Sequence, residues 1–234
     1  MNKTAIMVGN SSGMGLAITR ELLKSEWRIV GISRSTSPVE NPDYRHIVAD
    51  VRQDEYQKQL KIALKQKPQI DLCIYFAGIG ELLDLSHMEI EPEIFEVNLL
   101  GLVKTVSLVI PAMVKSGQGH FVGISSFADE LVSAEAPSYH GSKAGLSNYL
   151  EGLALALKPQ GIAVTNVRFG FVDTKMAKGE VKPFMMSVDR AVKHLLVCLE
   201  KKPVRYTAPG LAIPLVKFRR WMMRLRYLSW LITF

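Results

Sequence analysis

The chain has 234 residues, 48% of them hydrophobic and 22% charged. That is enough apolar material for one open-sheet domain or two small ones, and the lack of repeats or biased tracts excludes solenoids and disordered arrays. The net charge of +7 is uneven: from residue 201 onward come Lys201, Lys202, Arg205, Lys217, Arg219, Arg220, Arg224 and Arg226 with no acid, and taking those eight from +7 leaves −1 on residues 1–200, which argues against a nucleic-acid-binding body.

The first predicted element is a short apolar strand, Thr4–Val8, interrupted by Gly9-Asn10-Ser11-Ser12-Gly13-Met14-Gly15 and followed by helical spacing over 16–24. In such a strand–turn–helix the glycines let the backbone approach a diphosphate, and the helix N-terminus offers free N–H groups and partial positive charge. The spacing, Gly-x-x-x-Gly-x-Gly, differs from the commoner nucleotide fingerprint, and a plain glycine-rich turn is the alternative. A second strand, Arg28–Ser33, runs into Arg34, and no acid occurs between Glu26 and Glu40. An acid there would hold a ribose 2′-hydroxyl, whereas an arginine accommodates a 2′-phosphate; the expected cofactor is therefore NADP(H), with NAD(H) as the second choice. A third strand spans 44–49 and ends at Asp50-Val51, placed to border an adenine pocket. An amphipathic helix over 54–67 is closed by Pro68.

Residues 70–76 form an uninterrupted apolar run, expected when helices cover both faces of a parallel sheet; Ala77-Gly78 ends it with room for close approach by a ligand. A long helix over 93–115 carries Asn98, either a satisfied core amide or part of a proton path. A strand over 119–125 ends in Ser125-Ser126, and Pro137 sits where a helix can begin. Tyr139 and Lys143, four apart on the helix over 139–157, share one face, so an ammonium can lie beside a phenol whose pKa, ordinarily about 10, must fall for acid–base work near neutrality. A last strand over 162–168 leads to Gly170-Phe171-Val172-Asp173-Thr174, a lid over 175–186 and a helix over 188–200. Strands alternating with helices predict a single α/β domain, a doubly wound, mostly parallel sheet of the Rossmann kind with helices on both faces. Gly9, Arg34, Asp50, Gly78, Ser126 and Gly170 then all fall at strand carboxyl ends, where such sheets bind ligands.

Cys73 and Cys198 are the only cysteines and are expected as buried thiols of a reducing compartment; no ligand cluster suggests a metal. Residues 1–8 are too short for a secretory leader, so the expected location is the cytoplasm.

Taken together, Gly9-x3-Gly13-x-Gly15, Asp50-Val51, Ala77-Gly78, Asn98, Ser125-Ser126, Tyr139-x3-Lys143 and Gly170-x3-Thr174 resemble the short-chain dehydrogenase/reductase family, in order and spacing, over roughly residues 3–210. The resemblance implies an oxidoreductase moving a hydride between the nicotinamide and a carbonyl or alcohol. Tyr139 would be the general acid, Lys143 would hold the nicotinamide ribose and lower the Tyr139 pKa, Ser126 would hydrogen-bond the substrate oxygen, and Asn98 would order a water relaying protons to Lys143. Gly9, Ser11, Ser12, Gly13, Met14, Gly15, Arg34, Asp50, Val51, Ala77, Gly78, Tyr139, Lys143, Gly170, Val172 and Thr174 would line the cofactor. Four positions depart from the family pattern: Val8 for a threonine, Asn10 for alanine or serine, Tyr75-Phe76 for two asparagines, and Phe169 for a proline. A dinucleotide-binding sensor without chemistry is the alternative class, but it would have no reason to keep Ser126, Tyr139 and Lys143 together. The resemblance also implies a homodimer or homotetramer packed through helices 93–115 and 139–157, with Leu99, Leu102, Val106 and Val109 as contact surface. Leu82, Leu83, Phe184, Met185 and Met186 suggest an apolar pocket for a hydrophobic substrate.

Residues 211–234 read as a separate basic tail. Over 215–232 a helix would align Leu215, Phe218, Met222, Leu225 and Ile232 in one stripe flanked by cations, with Trp221 or Trp230 at its boundary. Such a helix suits peripheral contact with a membrane surface, as an adaptor or beside catalysis, or docking on protein.

Overall fold

In a computed structural model, which describes residues 3–66, 69–176 and 185–231, seven strands form one sheet: β1 (Thr4–Val8), β2 (Arg28–Ser33), β3 (Tyr44–Val48), β4 (Leu72–Tyr75), β5 (Gly119–Ser126), β6 (Ile162–Phe169) and β7 (Arg205–Ala208). Every pairing is parallel and the order is β3-β2-β1-β4-β5-β6-β7, so the direction of winding reverses between β1 and β4. A crevice opens there at the carboxyl ends of the strands.

β1 shows why the sheet must be covered on both sides. Ile6 and Val8 pack with α2 (Asp54–Gln66), α4 (Gly101–Ser116) and α5 (Pro137–Leu157) through Leu60, Leu102, Val106 and Leu150. Ala5 and Met7 point the other way, against Ile18 and Leu22 of α1 (Gly13–Lys24) and Leu195 and Cys198 of α6 (Val188–Lys201). All four β1 side chains are fully buried, and at roughly 1.5–3 kcal/mol for each large apolar side chain these two layers hold the fold.

The helix expected over 93–115 has three parts: α3 (Ile90–Phe95), a turn of π-type bonding at Glu96–Leu100, and α4. The wide turn carries Asn98 and frees the Val97 carbonyl, which accepts a hydrogen bond from the Tyr75 hydroxyl at 2.6 Å. Gly101 makes room for that hydroxyl, so Tyr75, one of the four departures, braces the turn. Gly141 and Gly145 on α5 let Phe95 and Leu99 approach closely: a Cβ at either glycine would lie 3.1 Å from those rings or methyls.

Three points differ from expectation. Leu102, Val106 and Val109 are buried beneath α4 in the core and offer no surface to a second subunit. Met186 is buried and pairs with Val172, so it packs with the core rather than lining a pocket; Phe184 lies outside the described residues. β7 was not foreseen. The sheet is parallel throughout, as the expected doubly wound arrangement requires. Cys73 and Cys198 are buried free thiols. The basic tail forms one helix, α7 (Ile213–Leu231), with Val216 buried while Phe218, Trp221, Met222 and Leu225 are exposed; the side chains of Leu215, Arg224, Arg226 and Trp230, and Ile232, lie outside the described ones.

Candidate active site

The crevice between β1 and β4 is a cleft of about 560 Å³ whose lining includes Gly9, Ser11, Ser12, Gly13, Met14, Gly15, Arg34, Val51, Ala77, Gly78 and Thr174. Eleven of the residues expected to hold a dinucleotide therefore line one cleft. Gly9 adopts φ +84°, and a side chain there would collide with the Ala77 backbone; a Cβ at Gly15 would lie 2.6 Å from the Gly9 carbonyl oxygen. Those glycines let two strand ends and the start of α1 pack directly together. Ser12 caps α1 without a side-chain hydrogen bond, leaving first-turn N–H groups to meet an anion. Thr174 hangs over the turn, its methyl 3.4 Å from where a Gly13 Cβ would be. A diphosphate fits this cradle.

Asp50, Gly170, Val172, Tyr139 and Lys143 do not line that cleft. The Asp50 carboxylate is turned to Arg52, which forks onto it at 2.9 and 3.1 Å and holds it below the usual carboxylate range. Val172 is buried beside Met186, and Gly170 backs on the Phe127 ring. Ser33, beside Arg34 at the strand end, lines the cleft as well, and so do Ser35, Ile79, Gly80, Lys175 and Met176, which are not among the expected cofactor residues. The signal for Gly80 was present in the small-residue run after β4.

The chemistry-bearing residues meet at the cleft's inner end. Gly80 lies against the Tyr139 ring, and a Cβ there would be 3.1 Å from it; a Cβ at Gly78 would be 3.3 Å from Asn98 Oδ1 and 3.7 Å from Lys143 Nζ. Asn98 fixes this loop: Oδ1 accepts from Ile79 N at 2.8 Å, and Nδ2 donates to the Ile79 carbonyl at 2.9 Å and to Ser142 Oγ at 3.0 Å. Both amide hydrogens are engaged, so the Asn98 side chain is a satisfied buried amide that pins the loop of Gly78 and Gly80. Ser126 ends β5, its hydroxyl accepting from Ala128 N at 3.2 Å and facing the Tyr139 phenol. Lys143 is buried, 5.8 Å from the Tyr139 ring centre, and donates to the Ile124 carbonyl at 3.0 Å.

The electrostatics differ from expectation. Burial moves the Lys143 ammonium down to about 8, with the Asp129 carboxylate working against that fall. Burial also pushes the Tyr139 phenol above its ordinary value, opposed by the Ser126 hydroxyl and reinforced by Asp129. The lowering of Tyr139 by Lys143 is thus not realised in the protein alone. The ammonium points at a carbonyl of β5, and desolvation of the phenolate dominates.

Residues 3–183 match the family model of the short chain dehydrogenases. The chain is 28% identical over 186 residues to the 3-oxoacyl-[acyl-carrier-protein] reductase of Buchnera aphidicola, covering 75% of this chain and 76% of that protein. It is 27% identical over 205 residues to an uncharacterised oxidoreductase of Myxococcus xanthus, covering 82% and 81%. Among solved structures, a short chain dehydrogenase from Burkholderia cenocepacia in complex with NADP superposes with a TM-score of 0.84 at 23% identity, over 96% of this chain and 97% of that one. The match across most of the sheet, together with a cleft shaped for a diphosphate, leads to one assignment: the chain belongs to the short chain dehydrogenase family, oxidoreductases that work with a nicotinamide dinucleotide.

Proposed function

We propose that this protein is an NADP(H)-preferring oxidoreductase acting on a carbonyl or alcohol, with Tyr139 as general acid in reduction and general base in oxidation. The observation that carries this reading is the junction of Tyr139, Lys143 and the Asn98-pinned loop at the inner end of the glycine-lined cleft. The nicotinamide dinucleotide, when bound, supplies or accepts the hydride. Tyr139 then gives its proton to the developing alkoxide or takes it from the alcohol, while Ser126 donates a hydrogen bond to the same oxygen. Lys143, buried and easily deprotonated for a lysine, is suited to hold the nicotinamide ribose and to pass a proton toward Tyr139. Asn98 keeps Gly78 and Gly80 in place. Arg34, exposed at the mouth between Ser33 and Ser35, meets a 2′-phosphate, and Val51 and Thr174, which line the same cleft, support the rest of the cofactor. A compound with its carbonyl on a hydrophobic body, an aldehyde, ketone or 3-oxoacyl group, fits the exposed Leu82, Val132, Met176 and Met185.

Tyr139→Phe keeps the ring and removes the transferable proton. Turnover should fall roughly 10²- to 10⁴-fold in a carbonyl screen followed by NADPH absorbance, with NADPH binding retained. Near-parental turnover would overturn the assignment.

We also infer a homodimer or homotetramer of cytoplasmic location, joined through what α3 to α5 leave exposed, namely Phe95, Leu100, Val114 and Leu155; a purely monomeric light-scattering mass at micromolar concentration would refute it. The unit boundary falls near residue 210. In α7, the exposed Phe218, Trp221, Met222 and Leu225 beside the exposed Lys217, Arg219 and Arg220 support contact with an anionic bilayer.

A further inference from the structure

Behind the Ser126–Tyr139–Lys143 junction lies a buried ionic cluster that no motif announces. Its centre is Asp129, in the single turn Phe127–Glu130 directly after β5. The Asp129 side chain is 2% exposed and that of its partner Arg168, in β6, is 5% exposed. Arg168 forks onto it, Nη2 donating to Oδ1 at 2.6 Å and Nε to Oδ2 at 2.7 Å. Two charges taken this far out of water cost several kcal/mol each unless geometry and further hydrogen bonds compensate. A solvated loop acid would have been cheaper, so the arrangement calls for a reason.

The remaining bonds of Asp129 lead to α5. Ser147, one turn after Lys143, donates to Asp129 Oδ2 at 2.6 Å. Ser147 Oγ is 2.7 Å from Ser125 Oγ in β5, and Ser125 in turn lies 3.4 Å from the Lys143 carbonyl oxygen. Lys143 is therefore held at both ends by β5, its ammonium on the Ile124 carbonyl and its backbone through Ser125. The second tie leads on through Ser147 to Asp129. In the sheet Arg168 stands directly beside Ser125, so both side chains point to the face that α5 covers.

We propose that Asp129, held in place by Arg168, is a positioning residue for the Tyr139–Lys143 pair: it locks α5 to the end of β5 through Ser147 and Ser125, and its carboxylate is the fixed counter-charge of the Lys143 ammonium. The inference rests on the assignment of Tyr139 and Lys143 above. Its field favours the protonated state of both Lys143 and Tyr139. Other charges face the cluster from each packed element. Glu130, in the same turn, accepts from Arg168 at 2.8 Å and from Arg205 of β7 at 3.1 Å; Glu151 of α5 accepts from Arg205 at 2.7 Å; and Arg220 of α7 stands 3.5 Å from Glu130. His140, beside the Tyr139 ring, is bonded to the Leu131 carbonyl, and Glu81 and Lys175 line the neighbouring cleft. Three acids, Asp129, Glu130 and Glu151, thus stand among three guanidinia, and Asp129 is the acid tied directly to α5 beside Lys143.

The sign follows from removing that negative charge. In Asp129→Asn, both Tyr139 and Lys143 lose their protons at lower pH. The alkaline limb of carbonyl reduction and the acid limb of alcohol oxidation should each move down by roughly one pH unit. An independent readout is the tyrosinate absorbance titration of each protein minus that of its Tyr139→Phe counterpart, which isolates the Tyr139 midpoint and should show the same downward shift. Because Asp129→Asn leaves Arg168 buried and unpaired, the double variant Asp129→Asn with Arg168→Gln is measured beside it, with the same direction expected. Ser147→Ala cuts the tie to α5 without changing charge and keeps the test open should the charge variants not fold; it should lower kcat about tenfold and leave the midpoint unmoved. A folded charge variant with an unchanged midpoint, or Ser147→Ala with parental kcat, overturns the proposal. Parental turnover in Tyr139→Phe would instead overturn the underlying assignment, and the tyrosinate midpoint would still report whether Asp129 acts on Tyr139.

Discussion

Asn10→Ala tests whether the back wall of the cleft is what orders its phosphate-facing segment. Asn10 is fully buried. Its Nδ2 donates to Thr19 Oγ1 at 3.1 Å and to the Tyr44 hydroxyl at 3.0 Å, and its Oδ1 accepts from Ser33 Oγ at 3.3 Å. The chain continues from Tyr44 to His46 Nδ1 at 2.8 Å and from His46 Nε2 to the Ser35 carbonyl at 2.9 Å, so Ser33 and Ser35, on either side of Arg34, are both tied to it. Gly31 makes the space: a Cβ there would be 2.6 Å from Asn10 Nδ2. Alanine removes three side-chain hydrogen bonds worth about 1 kcal/mol each. The former partners are not stranded, because Thr19 still donates to the Gly15 carbonyl, Tyr44 keeps His46 and Ser33 still accepts from the backbone N–H of residue 10. The expected loss is about 2–3 kcal/mol, which for a chain of this size lowers Tm by roughly 5–10 °C. If ordering the Arg34 segment then costs about 1 kcal/mol on binding, Kd for NADPH rises about fivefold with kcat unchanged. Circular-dichroism melting and NADPH fluorescence titration read the two effects. A Tm within about 2 °C of the parent with unchanged Kd would show that the network is incidental.

Three further outcomes are expected. NADPH should bind more tightly than NADH, and Arg34→Ala should narrow the gap in parallel titrations; equal affinities in the parent would mean that Arg34 meets no 2′-phosphate. The intact protein should co-sediment with anionic vesicles, less so as salt rises, and lose binding when residues after 216 are deleted; protein left in the supernatant at low salt would end the membrane reading of α7. Burial, reinforced by the Lys202 charge, holds His120 down to about 3 from its ordinary 6.5, so the unfolded chain binds the extra proton between those values. Stability should therefore fall as pH drops below about 6.5, by about 1.36 kcal/mol per unit from this residue, and urea titrations of His120→Gln should show a shallower pH slope; an equal slope would place the effect elsewhere.

The strands β1 to β6 and the cleft were legible because their signals are local: apolar runs ended by glycine, and a glycine-rich turn that leads into a helix. What escaped detection depends on neighbours. β7 has only four residues, begins at an exposed arginine and buries Ala208 alone; β6 supplies its ladder through Asn166 to Phe169, which no periodicity within 205–208 encodes. The wide turn at 96–100 was hidden because its apolar residues continue the helical spacing on both sides, and the one clue was a buried polar Asn98. Leu102, Val106 and Val109 look like spare surface in the sequence because an apolar helix has no intrinsic label for which face meets the sheet and which meets another subunit.

Arg168 is the instructive miss. It falls between Val167 and Phe169, both buried, in a strand already recognisable as covered on two faces. A cation in that setting requires a buried acid, since an unpaired charge there is far costlier than any packing gain. The requirement narrows the search to acids near the carboxyl ends of the neighbouring strands, and Asp129-Glu130 lies three residues past the Ser125-Ser126 end of β5. Composition gave no hint, because two acids in a loop and one arginine in a strand are each ordinary. The pairing becomes visible only once the parallel order sets β6 beside β5, with Arg168 opposite Ser125. A lone arginine inside a doubly covered strand therefore points to the strand end that must answer it, and here that strand end is the one that carries Ser126.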